Sequence, residues 1–224
     1  MTETQTTPAT SSTPLGDVPP TATATKAKQG RAPAAPGAAL QVLEQLFQLY
    51  PKMFGARFLP LKLGVYQELL AAHPDAFKKE DLKAALGLHA RSTRYLESIA
   101  AGHKRHDLHA QPVEDVAPEH VHHAIMEVFR RRQARSKHDL KPWLRERLVH
   151  AIEASGLDRQ AYTERVHAQD KFALAALEDA FTHIAEQAAK REALLRAYRG
   201  SGLDVEAFAQ MYGMDPSTVK KALH

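Results

Sequence analysis

The sequence contains no cysteine, which excludes disulfides and thiolate metal sites. It has no apolar run near the ~18 residues that a bilayer-spanning helix needs, so no membrane partner is expected. It has no Walker loop, nucleophile elbow or paired-carboxylate motif. The expectation is therefore a protein that is not an enzyme and uses no cofactor. The N-terminus lacks the charged and apolar regions of a signal peptide, which makes a cytoplasmic location the default. A large excess of one charge is also missing: 30 Lys+Arg stand against 26 Asp+Glu.

The charge that is present is unevenly placed. Residues 37–136 hold 14 Lys/Arg and 11 Asp/Glu, and residues 137–224 hold 13 of each. Within 78–105 the ratio is seven basic to three acidic. A local basic cluster suits a polyanion, because neutralised phosphates release counterions. Charge alone favours the plainer reading of a solvated mixed surface.

Three segments follow from composition and period. Residues 1–36 are rich in Pro, Thr and Ala, with too few large apolar residues to offset ordering entropy, and read as a disordered tail. From Ala38, Leu40, Leu43, Leu46, Phe47 and Tyr50 recur at steps of three and four, one apolar stripe that Pro51 ends. Further helices are expected over Lys62–Ala72, over Lys79–Leu88, and from a Ser92 cap to about Ala101, before Gly102. Residues 104–114 lose the 3.6 period. Arg105–Leu108 and Pro112–Val113 suggest a short strand pair, turned by His109-Ala110-Gln111 without the usual glycine. A long helix then opens at Pro118 and ends in basic Arg130-Arg131-Arg132 and Arg135.

Residues 137–224 read as an all-α module with an internal repeat. Ser155-Gly156-Leu157-Asp158 returns as Ser201-Gly202-Leu203-Asp204 after 46 residues, Ala161-Tyr162 returns as Ala207-Phe208, and Ala176-Leu177 as Ala222-Leu223. One long helix is expected over Phe172–Arg199. Ala209, Gly213 and Val219 have helix–turn–helix spacing, which leaves a DNA-binding regulator open as an alternative. A protein-interaction adaptor acting through 137–224 is the other. The 13 histidines raise a metal question. His103, His106 and His109, or His120, His122 and His123, show no converging ligand pattern, so no metal site is assigned. Exposed histidines, cationic below about pH 6.5, are the simpler reading.

The basic cluster has chemistry of its own. Lys79 and Lys83 share a helix face. Arg91, Arg94 and Tyr95 open the next helix, and Lys104 and Arg105 follow it. Cations around a tyrosine suit phosphate contact with base stacking. On pattern alone, a core Tyr95 among solvated charges is an equal alternative.

Several segments together resemble the ProQ/FinO family of bacterial RNA-binding proteins and RNA chaperones. They are Tyr50-Pro51-Lys52-Met53-Phe54, Pro60-Leu61-Lys62-Leu63-Gly64, Leu82-Lys83-Ala84-Ala85-Leu86, Arg94-Tyr95-Leu96 and Arg105-His106-Asp107-Leu108. The resemblance runs over about 38–125. It implies an α+β, mainly helical, ProQ/FinO-like domain with a short β-hairpin at about 37–136, followed by the all-α module. It implies RNA partners, namely small RNAs and mRNA 3′ ends gripped at a terminator-like hairpin with its 3′ tail. The site residues carried over are Lys62, Lys79, Lys83, Arg94, Tyr95 and Arg105, and the basic pattern adds Arg91 and Lys104 to the candidate site. The sequence departs from the family at Leu59, at Gly87 (where a basic residue is usual), at His89 (where tyrosine is usual) and at His109-Ala110 (where Asp-Gly is usual).

Overall fold

The computed structural model describes residues 36–55 and 57–223; the expected N-terminal tail lies outside the described residues. The described residues are mainly helical, with one small antiparallel sheet among them. The helices are α1 (Pro36–Leu49), α2 (Pro51–Phe54), α3 (Val65–Ala72), α4 (Lys79–Ala90) and α5 (Thr93–Ala100). Strands β1 (Arg105–His106) and β2 (Pro112–Glu114) follow. Then come α6 (Pro118–Gln133), α7 (Lys141–Ser155), α8 (Arg159–Val166), α9 (Lys171–Ser201), α10 (Val205–Tyr212) and α11 (Pro216–Leu223).

Helix boundaries follow local chemistry. Pro51 ends α1 but also occupies the first turn of α2, where its missing N–H costs nothing. Gly64, at φ +86, delays α3 to Val65 rather than the expected Lys62, a conformation that a side chain disfavours. The Ser92 hydroxyl accepts the Tyr95 N–H at 3.2 Å and caps α5 as its sequence suggests. Strand β1 is shorter than expected, leaving Leu108 outside it, and β2 runs one residue further than expected, to Glu114. In the turn between them Ala110 takes a φ of +63. The Asp107 carboxylate accepts the N–H groups of His109 and Gln111, both at 2.9 Å, and these bonds hold its pKa below the ordinary value.

Among the described residues, three clusters of buried side chains form the core. The first gathers Leu46, Met53, Leu69, Leu82, Tyr95 and Ile99 from α1 to α5. Fully buried leucines such as Leu46 and Leu82 contribute on the order of 1.5–3 kcal/mol each. The apolar stripe of α1 differs from its expected membership. Ala39, Val42 and Leu46 are buried, whereas Leu40 and Phe47 face solvent. The second cluster joins Ile125, Met126 and Phe129 of α6 to Leu144, Leu148, Tyr162, Leu177 and Phe181. Since Ala124 belongs to the first cluster, α6 serves both, and position 136 falls just beyond a shared helix. The third is small: Phe208, Ala209 and Val219 against Leu194, Ala197 and Tyr198.

Helix α9 links the second and third clusters. Its 31 residues span roughly 46 Å at the usual helical rise. Ala173, Leu177, Ala180 and Phe181 pack at one end, Leu194 and Tyr198 at the other, and residues 185–193 between them are exposed. The sequence repeat is a repeat of structure at its joints. Gly156 and Gly202 take φ values of +64 and +66. Ser155 and Ser201 donate to Ile152 and Tyr198 carbonyls at 2.6 and 2.7 Å. Asp158 and Asp204 each cap the next helix at 2.8 Å, and Tyr162 and Phe208 are both fully buried. The correspondence stops further on, because Leu177 is buried and Leu223 is exposed.

Candidate nucleic-acid interface

The eight site residues divide by burial, starting from the segment before α3. Pro60-Leu61-Lys62 runs parallel to β1: the His106 N–H donates to the Pro60 carbonyl at 2.7 Å, and the Lys62 N–H to the His106 carbonyl at 2.9 Å. The Leu61 peptide is bracketed by two side chains. Its N–H donates to the Tyr95 hydroxyl at 3.0 Å, and its carbonyl accepts from an Arg105 guanidinium N–H at 2.9 Å. Burial raises the Tyr95 pKa. The Arg105 Nε also lies 3.9 Å from the Glu114 carboxylate, which accepts the Leu63 N–H at 3.2 Å.

This geometry corrects two expectations. Tyr95 is a core residue, 8% exposed, and shares the first cluster with Ile99, while Leu96 is only partly buried. Arg105, 9% exposed, spends its guanidinium on a backbone carbonyl rather than presenting it to solvent. Position next to Arg94 or Lys104 in the chain says nothing of this, because successive side chains point about 100° apart on a helix and to opposite faces along a strand. Lys62 is half-buried and hydrogen-bonded to Glu68, and that bond and charge hold its pKa above the ordinary lysine value.

The remaining cations face outward. Lys79 opens α4, and Lys83 stands one turn further along it; both are exposed. Arg91 follows α4, with its guanidinium beside Gly87: a Cβ built at 87 would lie 3.2 Å from an Arg91 nitrogen. The Arg91 guanidinium thus occupies the space that a side chain at 87 would take. Exposed Arg94 lies over the Phe58 ring, 6.0 Å from its centroid. Lys104 pairs with Asp115 at 3.5 Å, both side chains well exposed, so the pair contributes little stability.

His89 does not take over a surface tyrosine's role. It is 3% exposed and packs against Phe58 at 4.5 Å, Phe54 at 4.9 Å and Tyr95 at 5.1 Å between ring centroids. Desolvation pushes its pKa down to about 4. His122 is likewise buried, beside the Tyr162 hydroxyl at 3.5 Å, with a pKa pushed down to about 4. The reading of the histidines as exposed fails at these two positions. Among the described residues, no group of three or more His, Asp or Glu side chains is placed to hold a metal ion.

Two residues of the surface were missed from the sequence. Phe58, half-buried, has Arg94 over its ring and His89 packed against it, and its only signal was an aromatic shortly before Pro60. Arg131 reaches back from α6 to donate to the Arg91 carbonyl at 2.9 Å and the Thr93 hydroxyl at 3.1 Å, fixing the turn that carries Arg91 and Arg94. The Arg130-Arg131-Arg132 run gave its charge but not its target.

At the other end of the chain, Ala209 and Val219 are fully buried and Gly213 takes a φ of +65. The α10–α11 pair therefore has the close packing and turn that its spacing suggests. On α11, Lys220 is paired with Glu206 at 2.9 Å.

Comparison with known proteins places residues 38–141 in a match to the ProQ/FINO family. The chain is 38% identical over 87 residues to the RNA chaperone ProQ of Shewanella oneidensis, covering 37% of this chain and 41% of that protein. It is 36% identical over 89 residues to the RNA chaperone ProQ of Shewanella frigidimarina, covering 38% and 44%. A crystal structure of a FinO-like RNA chaperone from Neisseria meningitidis shares 32% identity, with 39% of this chain and 90% of that chain covered and a TM-score of 0.36. The chain spans about two fifths of the length of the curated relatives it matches. The match reaches past Ala124 and Ile125 through the whole of α6, so the helix that both larger cores share lies inside it. The family match, over just under half of the chain, is thus to the ProQ/FINO family, and the curated relatives that share this stretch are RNA chaperones.

Proposed function

We propose that the chain is an RNA-binding protein and RNA chaperone. It holds structured RNAs, of the kind with a terminator-like hairpin and a 3′ tail, and thereby serves regulation by small RNAs. Its partners in this reading are small RNAs and mRNA 3′ ends. The observation that carries the proposal is the outward set Lys79, Lys83, Arg91 and Arg94, on two successive helices, with Phe58 under one guanidinium. Such a surface grips phosphates through charge, and the guanidinium that rests on Phe58 is held in place for it. Tyr95 and Arg105 lie behind it, hydrogen-bonded to the Leu61 peptide, and serve the stability of the domain. The activity needs no covalent step: an RNA held in one shape is protected at its end and presented to a second strand. Residues 37–136 supply the RNA surface, and 137–224 form the helical module, which could also receive a protein partner.

The test is a titration of the full chain with a labelled hairpin RNA carrying a U-rich 3′ tail, across a salt series. The wild type should bind, with affinity falling steeply with salt. Lys79→Ala/Lys83→Ala should weaken binding about tenfold and flatten the salt dependence, with thermal stability unchanged. Wild-type and variant curves that superimpose would overturn the assignment of this surface. The packed α10–α11 pair supports a second reading, a DNA-binding regulator. Tighter binding to duplex DNA than to hairpin RNA, lost on Lys221→Ala, would favour it.

A further inference from the structure

Beyond α5 the positive surface continues where no family-matched site residue lies. A groove of about 410 Å³ opens between α5, the end of α6 and the following loop, lined by Thr93, Glu97, Arg131, Arg132, Arg135 and Leu140. Its carboxylates are already engaged. Glu97 accepts from Arg132 at 2.7 Å, and nearby Glu127 accepts from Arg131 at 2.8 Å. Arg135 and Lys137, both exposed, have no ion pair among the described residues.

The groove is built rather than accidental. The loop is held by the Gln133 side chain, which donates to the His138 carbonyl at 3.0 Å and accepts the Leu140 N–H at 2.9 Å. Arg132 lies over the Trp143 ring at 5.0 Å, and Arg147 approaches the same ring at 5.8 Å. The helix dipole explains why cations sit in the last turn of α6. It does not explain Arg135 and Lys137, which lie past the end of that helix.

We infer that this groove is a second phosphate-binding site, which takes the backbone of the RNA strand held at Lys79–Arg94. The inference rests on the RNA-binding reading above. Continuity favours one strand over a separate ligand: Arg131 lines the groove and is bonded to the carbonyl of Arg91, a residue of the first surface. Planar guanidinium forks match phosphate oxygens, and the shape is an open trough rather than an enclosed pocket. The expected division of labour is that the α4–α5 surface recognises the hairpin and the groove adds phosphate contacts further along the chain of nucleotides.

The experiment compares wild type with Arg135→Gln/Lys137→Gln in the full chain, using two hairpin RNAs, one minimal and one extended at both stem and tail. Anisotropy titrations are run over a salt series, with Lys79→Ala/Lys83→Ala in parallel. Each phosphate contact adds roughly 0.7–0.9 to the salt slope. The groove variant should lose about three- to tenfold in affinity for the extended RNA and one to two in slope. It should bind the minimal RNA as wild type does, and melt at the same temperature. Equal affinity and slope for the extended RNA, with the wild type binding well, would overturn the groove while leaving the first surface intact. Failure of the wild type to bind either RNA would overturn both readings. Displacement of the RNA from the wild type by polyglutamate, but not from the groove variant, would assign the groove to an acidic protein instead.

Discussion

Arg94 and Tyr95 are neighbours in the chain and stand in opposite surroundings. Arg94 is exposed and rests on the edge of an aromatic cluster, while Tyr95 is sealed inside it with its hydroxyl on the Leu61 N–H. The same division separates Lys104 from Arg105. The outward surface works through charge, which salt screens. The interior works through packing and backbone hydrogen bonds, which salt leaves largely alone. The difference implies that substitutions in the two regions report on different measurements: affinity for the surface, stability for the interior.

The largest expected effect is at Tyr95. Tyr95→Ala should cost ~3–5 kcal/mol of folding stability, as truncation of a buried aromatic does. Tyr95→Phe keeps the ring and loses only the acceptor for Leu61, so about 1–2 kcal/mol is expected. Denaturant melts give both numbers, and RNA titration of the folded fraction should show wild-type affinity. A near-normal melt with weakened RNA binding would move Tyr95 to the outer surface and break the division.

Arg105 comes next. Arg105→Ala leaves the Leu61 carbonyl without its donor in a buried place, at an expected cost of ~1–3 kcal/mol. Arg105→Lys should recover part of it, since an ammonium can reach one acceptor but not span Glu114 as well. If both variants keep the wild-type melting temperature while RNA affinity drops, Arg105 grips phosphate and the interior assignment fails.

These two residues also show how far the sequence could be read. Helices with a cap or a proline at their start were legible, as at Ser92 and Pro118. So were both Ser-Gly-Leu-Asp joints, because capping and positive φ are properties of a few adjacent residues. Burial within the cluster was less legible. Tyr95 and Arg105 are polar enough for a surface, and what removes them from it is Leu61, 34 and 44 residues away. The α1 stripe went astray for a similar reason. Ala39 and Val42 pack inward while the larger Leu40 and Phe47 do not, so residue size misled the assignment. His89 gave no local sign that Phe54 and Phe58 would close over it.

The buried histidines sharpen the comparison through pH. His89 and His122 have ordinary values of 6.5 and are pushed down to about 4 by burial. Above pH 6.5 both are neutral in folded and unfolded chains, and neither affects stability. As pH falls from 6.5 toward 4, the unfolded chain takes up protons that the native chain refuses, so stability falls. The slope is at most about 1.4 kcal/mol per pH unit for each histidine. His89→Phe fits the aromatic surroundings and cannot titrate, so it should lose about half of this dependence. Melts at pH 7 and pH 5 give the comparison. A variant with the full wild-type slope would show that His89 is hydrated rather than sealed behind Phe58.

The smallest effect is expected at the tip of the hairpin that carries Arg105. Ala110 takes a φ of +63, which costs a residue with a side chain roughly 1–2 kcal/mol. Glycine removes that strain but gives the unfolded chain more freedom, which returns about 0.5–1 kcal/mol. Ala110→Gly should therefore stabilise by a few tenths of a kcal/mol, up to about 1. The Asp107 carboxylate, which already fixes the turn through two N–H groups, should still do so. Because the hairpin tip supports the interior knot and bears no cation of the outer surface, the gain should appear in the melting temperature alone. RNA affinity should stay at the wild-type value across the salt series. A gain in affinity with no gain in stability would mean that the turn reaches the RNA, and the line between the two regions would then have to be drawn on the far side of β1.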